Sequence, residues 1–229
     1  MQEELLNDNI PHYDGPEFLA KMRASQEKMK QSDEEFDRAF EIINRHPRRV
    51  AVFGSARDVA ENQHYRDMAY ELGGRLAQAG YAVATGGGNG IMGAANKGAY
   101  DAGGGSIGFN IKLPHEQHPN PYTTDSLTFQ HFFTRKVVLA FFAQAYIYLP
   151  GGFGTMDELF EIITLMQTKK MPRLPIILIG RDFWSGLAQF VDQKLLPMRV
   201  ISEGDNQIYQ IVDSVDDAMA ILEQHLKTK

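Results

Sequence analysis

Apolar positions change rhythm near Pro47. Residues 1–47 are charged and carry sparse apolar positions. Behind a Ser32-x-x-Glu35 capping signature, Phe36, Phe40 and Ile43 recur at helical spacing. Pro47 stops that pattern. This segment is expected to form one or two amphipathic helices, an arm packed on the main domain or on a partner subunit. Beyond it, short apolar runs alternate with helix-period stretches. Val50–Phe53, Tyr81–Thr85, Ser106–Ile111, Leu127–Phe133, Ala145–Leu149, Pro175–Ile179 and Gln207–Val212 read as strands. Tyr65–Ala79, Ile91–Ala102, Thr134–Ala143, a stretch from Leu159 to about Gln167, Phe183–Leu196 and Val215–His225 read as helices. The alternation predicts an α/β fold, a doubly wound, mostly parallel sheet with helices on both faces. The expected organisation is a single domain over residues 48–229 with an N-terminal helical arm over residues 1–47.

In such sheets ligands sit beyond the carboxyl ends of the strands. Three glycine-bearing loops fall there: Gly54-Ser55-Ala56-Arg57, Gly86-Gly87-Gly88-Asn89-Gly90, and the run Pro150-Gly151-Gly152-Phe153-Gly154-Thr155-Met156-Asp157-Glu158. The third ends a buried strand and opens a helix, whose free N–H groups form a ready anion site. Backbone N–H groups from Gly152 to Thr155 could cradle one phosphate. Glu158 adds a carboxylate one turn into the helix. Thr155-x-x-Glu158 is also a capping box, in which Glu158 would simply bond back to the Thr155 N–H. A bound phosphate would repel a carboxylate aimed at the same point. Glu158 should then turn to the neighbouring group, which in a nucleotide is the ribose. A carboxylate beside a ribose suits cleavage of an N-glycosidic bond, whose transition state carries positive charge on the sugar. Upstream, Arg135-Lys136 can reach the same rim, as a phosphate or ribose clamp or as the group that keeps Glu158 ionised. A solvated basic pair is the plainer alternative.

Composition and charge narrow the field. The chain has 229 residues, a net charge of −6 and no cysteine, with a pI near 5.6. A dedicated nucleic-acid binder would show a basic field. Thiol catalysis, disulfides and zinc–thiolate sites have no residue to use. No stretch approaches the roughly 20 apolar residues that span a bilayer, and a cytoplasmic protein is expected. Gly88-Asn89-Gly90-Ile91-Met92-Gly93 matches a dinucleotide fingerprint literally. It follows the second strand of the main domain, and Phe109-Asn110-Ile111-Lys112 supplies no acidic residue for a ribose diol. A NAD-linked oxidoreductase is therefore disfavoured, and the small residues suit close packing instead. The third loop lacks the G-K-[ST] ending of a Walker loop. His115 and His118 stand three apart in the irregular Pro114–Pro121 stretch with no third ligand evident, so no metal site is expected.

Taken together, the Pro150–Glu158 run, the Arg135-Lys136 pair and the Gly86–Met92 run resemble the LONELY GUY (LOG) family over about residues 49–196. That resemblance implies a Rossmann-like fold and phosphoribohydrolase activity on cytokinin riboside 5′-monophosphates or ordinary nucleoside monophosphates. It implies Arg135 and Glu158 as the catalytic pair, with Gly151, Gly152, Gly154 and Thr155 on the phosphate. Gly87, Gly88 and Gly90 would line the ribose-phosphate region, with Ser55 and Lys136 near the ligand. It also implies a homodimer or higher oligomer with the site near the subunit interface. Members are often labelled lysine decarboxylases, but no Schiff-base lysine with pyridoxal-phosphate partners stands out, and no cofactor is expected. The first loop and both chain extensions depart from the shortest members, which leaves the preferred base open. The same loops occur in a molybdenum-cofactor carrier, so a non-catalytic binder of a phosphorylated ligand is the alternative.

Overall fold

The computed structural model describes residues 16–113 and 118–227. His115, with Glu116 and Gln117, lies outside them. The described chain begins with one long helix, α1 (Pro16–Arg45), and continues as β1 (Arg49–Phe53), α2 (Gln63–Gln78), β2 (Ala82–Thr85), α3 (Gly90–Asp101) and β3 (Ser106–Ile111). Then come β4 (Asp125–Phe129), α4 (Phe132–Phe141), β5 (Tyr146–Tyr148), α5 (Phe153–Gln167), β6 (Ile176–Ile179), α6 (Arg181–Phe190), β7 (Gln210–Val212) and α7 (Val215–Lys227). No described helix is long and apolar enough to cross a membrane.

The seven strands form one sheet in the order β4-β3-β2-β1-β5-β6-β7. Every neighbouring pair is parallel. The α/β doubly wound reading therefore holds, and the sheet is wholly parallel. Central strands are buried on both faces, which is why they read as continuous apolar runs. Residues of one parity, such as Phe53, Ala84, Phe109 and Tyr148, pack under α1, α4 and α5. The other parity, such as Val52, Val83 and Ile147, packs under α2, α3 and α7.

Two local expectations change. Ser32 does not start a helix: it lies inside α1, which already runs from Pro16. Glu35 turns away from its own helix and accepts the Gln130 N–H at 2.5 Å and the Thr134 hydroxyl. A capping signature is overridden when the preceding residues stay helical and a tertiary donor competes. The same contact explains why β4 stops at Phe129 rather than Phe133: the Gln130 N–H goes to Glu35, and Phe132 and Phe133 open α4. Small residues of α3 serve a helix–helix seam. A Cβ at Gly98 would overlap the Tyr70 carbonyl of α2, and one at Gly73 would overlap the Ala95 carbonyl of α3.

Candidate active site

Strand order reverses between β1 and β5, and the crevice beyond their carboxyl ends is where doubly wound sheets hold ligands. Ser55 knits the three glycine loops together there. Its N–H donates to the Pro150 carbonyl at 3.0 Å, and its carbonyl accepts the Ile91 N–H at 2.9 Å. Its hydroxyl accepts the Arg57 N–H at 3.1 Å. Gly90 meets this loop at φ +61°, where a Cβ would stand 2.6 Å from the Ser55 carbonyl oxygen. Below the second loop lies a buried polar network. Thr85 Oγ1 donates to Asn96 Oδ1 at 2.5 Å and accepts the Gly87 N–H at 2.9 Å. Asn120 donates to the Gly88 carbonyl at 3.0 Å and to Asn96 at 3.1 Å. Satisfied networks of this kind fix loop shape, because any unpaired member would be costly.

The third loop leaves β5 and starts α5 with Gly152 as its cap residue, in an extended conformation. The N–H groups of Phe153 and Gly154 then have no acceptor inside the helix. A Cβ at Gly152 or Gly154 would meet nothing within 4 Å. No packing within the chain requires glycine at these two positions; their bareness leaves room for something outside it. Gly151 differs, since a Cβ there would overlap Thr155 Oγ1. Thr155 is the third helical residue, and its N–H is taken by the Gly152 carbonyl at 3.0 Å. The capping-box reading of Thr155 and Glu158 therefore fails, because Thr155 is not the cap and its N–H is already bonded.

Glu158 is instead a buried carboxylate at 6% exposure, with Oε2 lacking any hydrogen-bond partner. Burial pushes its pKa up to about 7, and the charges of Lys136 and Arg135 pull against that rise. Arg135, on the first turn of α4, donates from Nε to the Phe109 carbonyl at 2.7 Å. Burial lowers its pKa and Glu158 opposes that fall. A guanidinium remains charged under such shifts. A Cβ at Gly86 would overlap Arg135 Nη2, so this glycine makes room for the arginine. Gly86 was not among the expected site residues, and in a turn of four glycines only Gly87 and Gly90 take positive φ.

A cleft of about 290 Å³ brings together Ser55, Arg135, Gly152, Gly154, Thr155 and Glu158. Met92 and Phe132 also line it, neither of them expected as site residues. Gly151 lines an adjoining groove that shares Ser55 and Gly152 with this cleft. Gly88 lines a neighbouring pocket that shares Arg135 and Met92. Gly87 and Gly90 shape the loop from behind, Gly87 at φ +71° against the Asn110 amide. Lys136 is not in the lining. Its ammonium is held by Asp157 at 2.7 Å and Glu161 at 3.1 Å, from where it acts on Glu158 by charge alone. No group of three or more His, Asp or Glu among the described residues is placed to hold a metal ion.

The arrangement places an open anion cradle, a carboxylate held against ionisation and a fixed guanidinium on one crevice. The profile of a family described as possible lysine decarboxylase matches residues 92–222. The cytokinin riboside 5′-monophosphate phosphoribohydrolase LOG of Oryza sativa subsp. japonica is 35% identical over 163 residues, 69% of this chain and 63% of the rice protein. A protein of the same described activity from Arabidopsis thaliana is 31% identical over 153 residues, 64% of this chain and 68% of its own length. Among solved structures, the molybdenum cofactor carrier protein of Chlamydomonas reinhardtii is 25% identical with a TM-score of 0.58, over 79% of this chain and 98% of that one. The family profile spans more than half of the chain and covers Arg135 and the third loop, and the chain belongs to this family, that of the LOG phosphoribohydrolases.

Proposed function

We propose that the protein hydrolyses the N-glycosidic bond of a nucleoside 5′-monophosphate, a cytokinin riboside monophosphate or an ordinary nucleotide, giving free base and ribose 5-phosphate. The observation that carries this reading is the buried Glu158 carboxylate, unpartnered at Oε2, one turn inside a helix whose first residues leave an open cradle. The 5′-phosphate takes the N–H groups that open α5. Repulsion keeps the carboxylate off the phosphate and directs it to the ribose. Glu158 stabilises the ribosyl cation or attacks C1′, and Arg135 orients substrate and carboxylate. Water adds its oxygen to C1′, the C1′–N bond breaks, and its electron pair leaves with the base, which gains a proton. Likeness to relatives named for this hydrolysis supports the assignment.

The test is base release from AMP, GMP, CMP, UMP and an isopentenyladenine nucleotide. Glu158→Gln is expected to lower kcat/KM by about 100-fold or more. Equal turnover by the variant removes Glu158 from the mechanism, and no turnover of any nucleotide by the wild type overturns the reading. Since the carboxylate must be ionised and burial has pushed it to about 7, activity should climb between about pH 6 and about pH 8. The likeness to the molybdenum cofactor carrier supports a second reading, a binder that holds a phosphorylated ligand without cleaving it. A binder gains nothing from a buried carboxylate beside an anion, and mass spectrometry of co-purified ligand separates the two. A homo-oligomer with the site near the subunit interface belongs to the proposal. The half-exposed Phe132, Phe133 and Phe141 on the helix that carries Arg135 support it, as a sedimentation measurement would check. The partner is a small molecule rather than nucleic acid, and the location cytoplasmic.

A further inference from the structure

Two cavities meet at the start of α5. The cleft that holds Glu158 and the adjoining groove share three residues, Ser55, Arg57 and Gly152. Gly152 is the cap after which the N–H groups of Phe153 and Gly154 have no acceptor inside the helix. Arg57 thus lies at the wall of the cradle. Its backbone is fixed there: its N–H donates to the Ser55 hydroxyl at 3.1 Å, and the Ser55 N–H donates to the Pro150 carbonyl of the third loop. A Cβ at Gly90 would stand 2.8 Å from the Arg57 carbonyl oxygen, so the second loop backs this one closely. Charge pairing then singles the side chain out. The acidic residues lining the two cavities are Asp157, Glu158 and Asp182. Asp157 holds Lys136 at 2.7 Å, Asp182 accepts the Tyr65 hydroxyl, and Glu158 feels the charge of Arg135. The cations in the described lining of the cleft are Arg57 and Arg135. Arg135 is bonded to the Phe109 carbonyl, whereas the exposed Arg57 guanidinium has no hydrogen-bond or ion-pair partner among the described residues. Its neighbour Asp58 pairs with Arg66 instead. In a chain of net charge −6, Arg57 is an uncompensated cation at the edge of an anion cradle.

We infer that Arg57 is the side chain that distinguishes a nucleotide from its nucleoside, by pairing with the 5′-phosphate. The inference rests on the phosphoribohydrolase reading and adds to it a residue outside both the Pro150–Glu158 run and the Arg135-Lys136 pair. The N-terminus of a helix carries roughly half an elementary charge, whereas a phosphate monoester brings about −1.5 to −2 near pH 7. The N–H groups of α5 alone leave most of that charge unmet. Lys136 is held away at Asp157 and Glu161, and Arg135 faces Glu158. The planar fork of Arg57 is the remaining donor, and a guanidinium suits phosphate oxygens in pairs. A nucleoside offers it nothing of opposite charge. Because the side chain is exposed, the contact forms in solvent and weakens with salt.

The experiment compares wild type, Arg57→Gln and Arg57→Lys. Calorimetry reads the affinity for ribose 5-phosphate at about 0.05 M and about 0.5 M salt. Steady-state kinetics read kcat and KM for AMP, GMP, CMP, UMP and the isopentenyladenine nucleotide against the matching nucleosides. Arg57→Gln is expected to weaken ribose 5-phosphate about ten-fold or more at the lower salt, and to lose most of the salt dependence. KM for the nucleotides should rise by a similar factor, so the nucleotide-to-nucleoside ratio of kcat/KM falls. Arg57→Lys keeps the charge without the fork and should recover part of the loss. Melting temperatures should match the wild type; a drop in step with the affinity would mean that loop packing needs the arginine, and overturns the assignment. So does a fall in kcat at unchanged KM, or wild-type affinity and salt dependence in Arg57→Gln, while the hydrolase reading stands. If no nucleotide is cleaved, the hydrolase reading falls and the calorimetry still decides whether Arg57 holds the phosphate. No affinity of the wild type for ribose 5-phosphate overturns both.

Discussion

At the scale of single residues, Glu158 shows how a site charges its cost to the fold. A carboxylate buried without a donor at Oε2 is held out of the charged form by desolvation, which raises its pKa from an unfolded value near 4.5 to about 7. Between those values the unfolded chain releases the proton and the folded chain keeps it. Stability therefore falls as pH rises through that window, and the loss is complete above about pH 7. The displacement corresponds to ~3 kcal/mol. Glu158→Gln keeps the shape and removes the titration, so it should raise the melting temperature at about pH 8 and leave it nearly unchanged near pH 4.5. Thermal unfolding at the two pH values checks this. An equal effect at both would mean that packing, not ionisation, sets the difference. In the proposed mechanism this loss is the counterpart of a carboxylate that meets the ribosyl cation in its ionised form.

Among the elements, the three loops use glycine for three different physical reasons. Gly87 and Gly90 supply positive φ. Gly86 and Gly151 clear space for the side chains of Arg135 and Thr155. Gly152 and Gly154 face open space, where the proposed phosphate would sit. Substitution should sort them. Gly86→Ala displaces the guanidinium and is expected to cost about 100-fold in kcat, because small errors of alignment are amplified at a reacting centre. Gly152→Ala should mainly raise KM, since it crowds the phosphate and disturbs nothing within the chain. Steady-state kinetics on both variants distinguish these losses, and identical kcat effects would refute the division. This is also where sequence stops being legible. Alternation of apolar runs with helical periods predicts the strands and the rim well, because buried parallel strands and amphipathic helices leave different periods. A glycine, however, looks the same whether it serves φ, a neighbour or a ligand. The Thr155-x-x-Glu158 spacing likewise fits a cap, and only the bonded Thr155 N–H excludes that reading. Asn110 read as the want of an acidic residue, yet in three dimensions it lines a pocket beside Arg135.

On the scale of the whole molecule, α1 ties the start of the chain to the crevice. Ala39, Ile42 and Ile43 join the core on the face that carries α4 and α5. Two polar clasps hold the helix along β4. Near its end, Arg45 meets Asp125 at 2.5 Å, and His46 meets the same carboxylate at 2.7 Å. Further back, Glu35 receives the Gln130 N–H and the Thr134 hydroxyl. Thr134 precedes Arg135, so the second clasp fixes the turn from which the guanidinium projects. Glu35→Ala would leave a buried hydroxyl and a backbone N–H without their acceptor, which costs about 1–3 kcal/mol. It would also loosen the first turn of α4. Melting temperature should fall by roughly 2–12 °C for a chain of this size, and kcat should fall with it even at temperatures where the variant is folded. The informative comparison is Phe40→Ala, which removes a half-exposed side chain of the same helix, packed edge-on against Phe142. It should lower stability without touching the Thr134 turn. If both variants lose stability and neither loses activity at low temperature, α1 is a brace for the fold alone; loss of kcat in Glu35→Ala only would show that this helix sets the aim of the arginine from 100 residues upstream in the chain.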